Sequence, residues 1–150
     1  CMNPTAGSFI IDPRLQRSYM TFSVFMPKQE VLQTIYASIL KGHLGNGFPS
    51  EVLKLSDAIV QVTVELHTAI VKTFFPTAIK FHYNFNLRET SAILQGICRT
   101  RPAQLTGAVS LVRLWSHECE RVFLDRMVTQ DDIDKFRQML ADISKKFFSD

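Results

Sequence analysis

The chain has 150 residues, enough for one domain with a sizeable core, and its 46% hydrophobic and 21% charged content is an ordinary globular balance. A formal net charge of +3, with basic residues dispersed among acids, gives no footprint for nucleic acid. No apolar run approaches the ~18 residues of a membrane span, the N-terminus lacks the order of a secretory signal, and three scattered cysteines fit reduced thiols in a cytosolic setting better than a zinc site or a disulfide framework.

The chain begins at Cys1 rather than Met, which leads to the expectation of a piece cut from a longer protein. "NPTAGS" and "DPR" carry turn chemistry. They alternate with β-like runs, of which "SYMTFSVFMP" places Met20, Phe22, Val24 and Met26 on one face at period two before Pro27 closes it. From Lys28 the period becomes helical, with Leu32, Ile35, Tyr36, Ile39 and Leu40 on one face, up to the Gly-rich "GHLGNGFP". Ser50 reads as the N-cap of one long helix whose stripe is Val52, Leu55, Ile59, Val62, Leu66, Ile70 and Phe74. Asn86 and Glu89 form a capping-box pair that opens a third helix, running to about Arg99. A fourth is expected from about Ala103 to Met127, carrying Leu105, Ala108, Val112, Trp115, Cys119 and Val122. The last opens at "TQDD", acids suited to a positive helix start, and buries Ile133, Phe136, Leu140, Ile143 and Phe147. The fold expected is mainly α, about five helices with a β segment in front. A strand alone, or paired only with "IKFHYNF", is marginal in water, so the simpler reading gives it to a sheet whose other strands lie elsewhere.

Most catalytic patterns fail on inspection. "HECER" resembles a zinc-protease helix but ends in Arg121 where the second histidine ligand belongs, so no metal is expected. There is no G-x-S-x-G elbow, no phosphate-cradling glycine loop, and no activating partner near Cys98 or Cys119. Three polar features remain. Asn3 offers a carboxamide that donates and accepts, or is a turn residue before Pro4. Arg14 and Arg17 share a face if "DPRLQR" makes a helical turn, as anion ligands or as solvated charges. Arg88 in "HYNFNLRE" places a cation in the first turn of a helix, against the dipole, which points to an anion or a carboxylate partner.

The blocks "CMNPTAGSFIIDPRLQR", "PTAIKFHYNFNLRE" and "LVRLWSHECERVFLDRMV" closely resemble a dynein heavy chain of the axonemal type, in the third AAA+ module of its motor ring, almost from end to end. The resemblance implies that residues 1–27 close the large α/β subdomain and that 28–150 are the AAA+ helical lid subdomain. It implies Asn3 as sensor 1, Arg17 as an arginine finger acting in trans (with Arg14 the alternative), and Arg88 as sensor 2. Implied as well are ATP or ADP with Mg in the full module, without tight binding to this piece, because the Walker segments lie upstream. The implied partners are adjacent modules of the same heavy chain, and, through the parent protein, microtubules and dynein intermediate and light chains, in minus-end-directed motility at the axoneme of a cilium or flagellum. No membrane or nucleic-acid partner is implied. The competing reading is a freestanding helical protein-interaction domain, with Trp115, Phe123 and "KKFFSD" as partner surface or core.

Overall fold

The computed structural model describes residues 11–148. Seven α-helices are present among them: α1 (Pro13–Gln16), α2 (Gln29–Leu44), α3 (Ser50–Lys54), α4 (Ser56–Thr73), α5 (Leu87–Ile97), α6 (Ala108–Phe123) and α7 (Gln130–Phe148). Short 3₁₀ turns cover Pro102–Gln104 and Leu124–Arg126.

The stripe expected on one long helix is buried as read, with Val52, Ile59, Val62, Leu66, Ile70 and Phe74 in the core. The helix itself is broken at Leu55. There the Ser56 hydroxyl donates to the Leu53 carbonyl at 2.7 Å, a side-chain bond that competes with the helical ladder. Ser50 is the first helical residue and Pro49, not Ser50, stands at the cap. The region expected as one helix from Ala103 to Met127 is likewise divided into the Pro102 turn, α6 and the Leu124 turn, since Pro102 cannot continue a ladder and Gly107 is fully extended. On α2 the buried residues are Leu32, Leu40 and Leu44, whereas Ile35 and Ile39 face outward.

The central helix is α4, packed against α2, α5 and α7, while α5 lies along α6. Thr63 and His67 are buried on it together with its aliphatic residues. Trp115 and Phe123 from α6 and Phe136 from α7 are the largest fully buried side chains, so Trp115 and Phe123 are core rather than presented surface, while Phe147 and Phe148 are half-buried against it. Where α5 crosses α6, Gly96 leaves room for the Glu118 carboxylate, which Arg121 holds from Nε at 2.9 Å and from its terminal nitrogen at 2.7 Å. A Cβ at position 96 would run into that carboxylate. Gly96→Ala is expected to force Glu118 outward and cost about 1–3 kcal/mol. Urea unfolding read by circular dichroism checks this, and an unchanged midpoint would show that Glu118 swings clear of the crossing without cost.

No strand forms among the described residues. The expected strand at about 18–26 is a chain without regular structure, and residues 11–30 are all exposed. Tyr19, Met20, Phe22, Val24, Phe25 and Met26 stand between 66% and 92% accessible. A strand needs neighbours for its backbone groups, and the described residues supply none. "IKFHYNF" is turned back on itself by a Tyr83 N–H bond to the Lys80 carbonyl and does not pair with it.

Candidate functional site

The "HYNFNLRE" stretch, a loop running into the first turn of α5, is braced by several side-chain bonds. Asn86 is extended and caps α5, its side chain accepting from the Arg88 N–H at 2.9 Å, while Glu89 returns a carboxylate oxygen to the Asn86 N–H at 2.7 Å. The capping box read from the sequence is therefore formed. The second oxygen of Glu89 accepts from Arg126 at 2.6 Å. Arg126 also donates to the His82 carbonyl at 2.7 Å, and His82 Nε2 meets the Arg126 carbonyl at 3.0 Å. The guanidinium lies 5.0 Å from the Phe85 ring centroid, and Phe85 meets Phe123 edge to face.

A second brace lies beside the first. The Asp132 carboxylate, on the first turn of α7, accepts from the Tyr83 hydroxyl at 2.8 Å, from Thr129 at 2.6 Å and from the Lys80 ammonium, all on one oxygen. Tyr83 in turn accepts the Val128 N–H at 3.0 Å. Burial pushes the Asp132 carboxyl upward, but the bonds from Lys80, Thr129 and Tyr83 outweigh it and hold it at about 2. Burial raises the Tyr83 phenol, and the bond to Asp132 raises it further. The Lys80 ammonium is raised by its bond to Asp132.

Against this frame Arg88 is exposed, and its guanidinium has no hydrogen bond or ion pair among the described residues. A carboxylate partner would have absorbed the conflict with the helix dipole. None is present there, so a fixed helix start presents a free cation to solvent. Tyr36 of α2 supports the same turn, bonding Ser91 at 2.8 Å. Arg14 and Arg17 lie elsewhere, on a single turn that Asp12 caps by accepting the Arg14 N–H at 2.9 Å. Arg17 has helical dihedrals, so the two keep the shared face expected of them, and both are exposed. Nothing brings them to Arg88. Asn3 lies outside the described residues.

The remaining candidates are packing groups. Burial drives the Cys119 thiol well above its usual range and raises Cys98 as well. His67 is buried behind the α5 start, where burial holds its imidazole below the usual value despite opposing effects of Asn86 and Glu89. In "HECER" His117 is exposed and Glu118 is buried against Arg121, so the pair cannot converge on one ion. No group of three or more His, Cys, Asp or Glu among the described residues could hold a metal. No helix among them is long and apolar enough to cross a membrane.

Residues 59–150, more than half of the chain and including both braces, match the family described as AAA+ lid domain. The chain belongs to the AAA+ lid family. Its relatives extend the likeness over the lid and the segment before it. The ciliary dynein beta chain of Tripneustes gratilla is 48% identical across all of this chain. The flagellar outer-arm dynein beta chain of Chlamydomonas reinhardtii is 47% identical, and dynein axonemal heavy chain 17 of Mus musculus 48%. This lid and its leading segment span 3% of the length of each of those relatives. Arg126, which organises the lid's loop, received no role in the sequence reading, and Asp132 was read there only as one of the "TQDD" acids suited to a helix start, not as a partner of Lys80 and Tyr83. Arg126 stood inside the quoted "RVFLDRMV" block, and Asp132 stood three residues after Thr129 at a helix start, the only signals that could have found them.

Proposed function

We propose that this chain is the lid, with the closing end of the large α/β subdomain at 1–27, of the third AAA+ module in the motor ring of an axonemal dynein heavy chain. Its work is to sense nucleotide and to couple neighbouring modules. One observation carries the reading: an exposed Arg88 guanidinium, without a partner among the described residues, stands on a helix start that is fixed from both sides. The likeness to ciliary and flagellar dynein chains over the whole chain supports the choice of ring.

In this reading Arg88 meets the phosphates of ATP or ADP bound to its own module, in the sensor 2 role. A planar fork that keeps its charge suits a phosphate, so the residue present fits that ligand. The phosphate loop and the ligands of Mg come from residues upstream, which is why this chain alone binds nucleotide weakly. Nucleotide supplies a charge whose contact with Arg88 changes with the angle between lid and large subdomain, and that difference is what lets occupancy bias a conformation. Arg17, exposed on its own turn, is the finger for the preceding module's site, Arg14 being the alternative, and Asn3 is sensor 1. A trans arginine contributes about 10³–10⁵ in rate where hydrolysis occurs. The parent chain would act on microtubules, with intermediate and light chains, in the cytoskeleton of a cilium or flagellum.

The test uses the chain extended upstream by the missing half of a module, on the order of 150 residues, titrated with a fluorescent ATP analogue. Arg88→Ala is expected to weaken binding about ten- to hundredfold, the loss of one charged hydrogen-bonding contact. Its thermal stability should stay unchanged, because the side chain has no partner among the described residues. Binding within about twofold of the unsubstituted protein would make Arg88 a surface charge and remove the reading's main support.

A further inference from the structure

We propose that Arg126 is the positioning residue for Arg88, and that through it the presence of nucleotide reaches α7. The inference rests on the reading that Arg88 meets phosphate. What carries it is the division of one carboxylate: Glu89 gives one oxygen to the cap of the helix that bears Arg88 and the other to Arg126. The Arg126 side chain is two-thirds covered and that of Glu89 nearly buried, so the pair is shielded from the screening that weakens surface ion pairs. Arg126 then closes a ring with His82, donating to its carbonyl while its own carbonyl meets the imidazole. The loop before α5 is therefore joined to the turn after α6 at two points and the first turn of α5 at a third, and the turn after α6 leads within a few residues into α7.

A shift of Arg88 toward a phosphate moves Glu89, its neighbour in the same helical turn. Glu89 cannot move without Arg126, and Arg126 is part of the backbone turn from which α7 starts. A lysine at 126 keeps the charge but offers no planar fork to span Glu89 and the His82 carbonyl together.

The experiment uses the full-length parent heavy chain. Saturation of photolabelling by 8-azido-ATP is followed on the peptides of this module, which isolates its affinity from those of the other modules. Arg126→Ala is expected to weaken labelling on the order of tenfold, and to change nothing further when Arg88→Ala is already present, as for two residues acting in one network. Arg126→Lys should stay weak, and its helix content, checked separately, keeps the result readable if the alanine variant misfolds. Nucleotide should slow hydrogen exchange in residues 127–132 of the unsubstituted chain but not of the Arg126→Lys chain. Equal weakening by Arg126→Ala with and without Arg88 would reduce Arg126 to scaffold and overturn the inference, as would unchanged affinity. If Arg88→Ala alone leaves labelling unaffected, the underlying sensor reading falls, and the inference with it. That outcome is distinct because it appears in the Arg88 variant itself.

Discussion

Trp115→Ala is expected to destabilise the lid by about 3–5 kcal/mol, the range for removing a large aromatic side chain from a closed core. Trp115 is fully buried on α6, and its indole N–H donates to the Thr63 hydroxyl of α4 at 2.8 Å. Thr63 is held in the accepting orientation because its own proton goes to the Ile59 carbonyl at 2.5 Å. The ring also meets Phe148 edge-on at 5.8 Å, so one side chain ties α6 to the centre of α4 and to the end of α7. Alanine removes the packing and leaves the Thr63 oxygen without its donor. Trp115→Phe separates the two effects: it keeps most of the ring and loses only the bond, for an expected cost of about 1–2 kcal/mol. Domains of this size are stable by about 5–15 kcal/mol, so the alanine variant should show a large drop in urea midpoint by circular dichroism. A cost below about 1 kcal/mol for the alanine would mean that the helices close over the gap and that Trp115 does not organise the core.

The features legible in the sequence are those with a local cause. The Asn86–Glu89 capping box needs only residues three apart, and the Val52 to Phe74 stripe needs only helical spacing. The Leu55 break needed one hydrogen bond from Ser56 that spacing does not encode. What escaped the sequence joins distant positions. Glu89 with Arg126, and Tyr83 and Lys80 with Asp132, pair across 37, 49 and 52 residues, and no periodicity reports such partners. Arg88 shows both sides of this limit. Its position in the first turn was readable, but that no carboxylate among the described residues reaches its guanidinium is a result of packing that spacing does not report. The segment at about 18–26 forms no strand among the described residues, for a related reason. Its alternating pattern is real, but a strand's hydrogen bonds belong to its neighbours, and the described residues contain none.

Asp132→Asn is expected to cost about 1.5–3 kcal/mol near neutral pH, the range for losing a charged acceptor of several hydrogen bonds, and to cost almost nothing at about pH 1. The pH dependence follows from the carboxyl held at about 2 in the folded chain, against about 3.9 when unfolded. Above about pH 5 both states are ionised, and the carboxylate contributes its full stability. Between about 5 and 1 the unfolded chain takes up the proton first, so stability falls as pH falls, most steeply between about 4 and 2. Below about 1 both states are protonated, and the contribution is gone. Other carboxylates also titrate in this window, so the decisive quantity is the difference between the unsubstituted chain and Asp132→Asn in urea unfolding at each pH. That difference should shrink steadily across the window; a constant difference would mean that the asparagine disturbs packing rather than removing a charge. The same substitution has a local readout. The Val128 N–H is held by the Tyr83 hydroxyl, whose orientation depends on donating to Asp132. Its hydrogen exchange should therefore accelerate in Asp132→Asn more than that of amides in the middle of α4. The loop before α5 would then be loosened from the start of α7, while the brace through Arg126 stays in place.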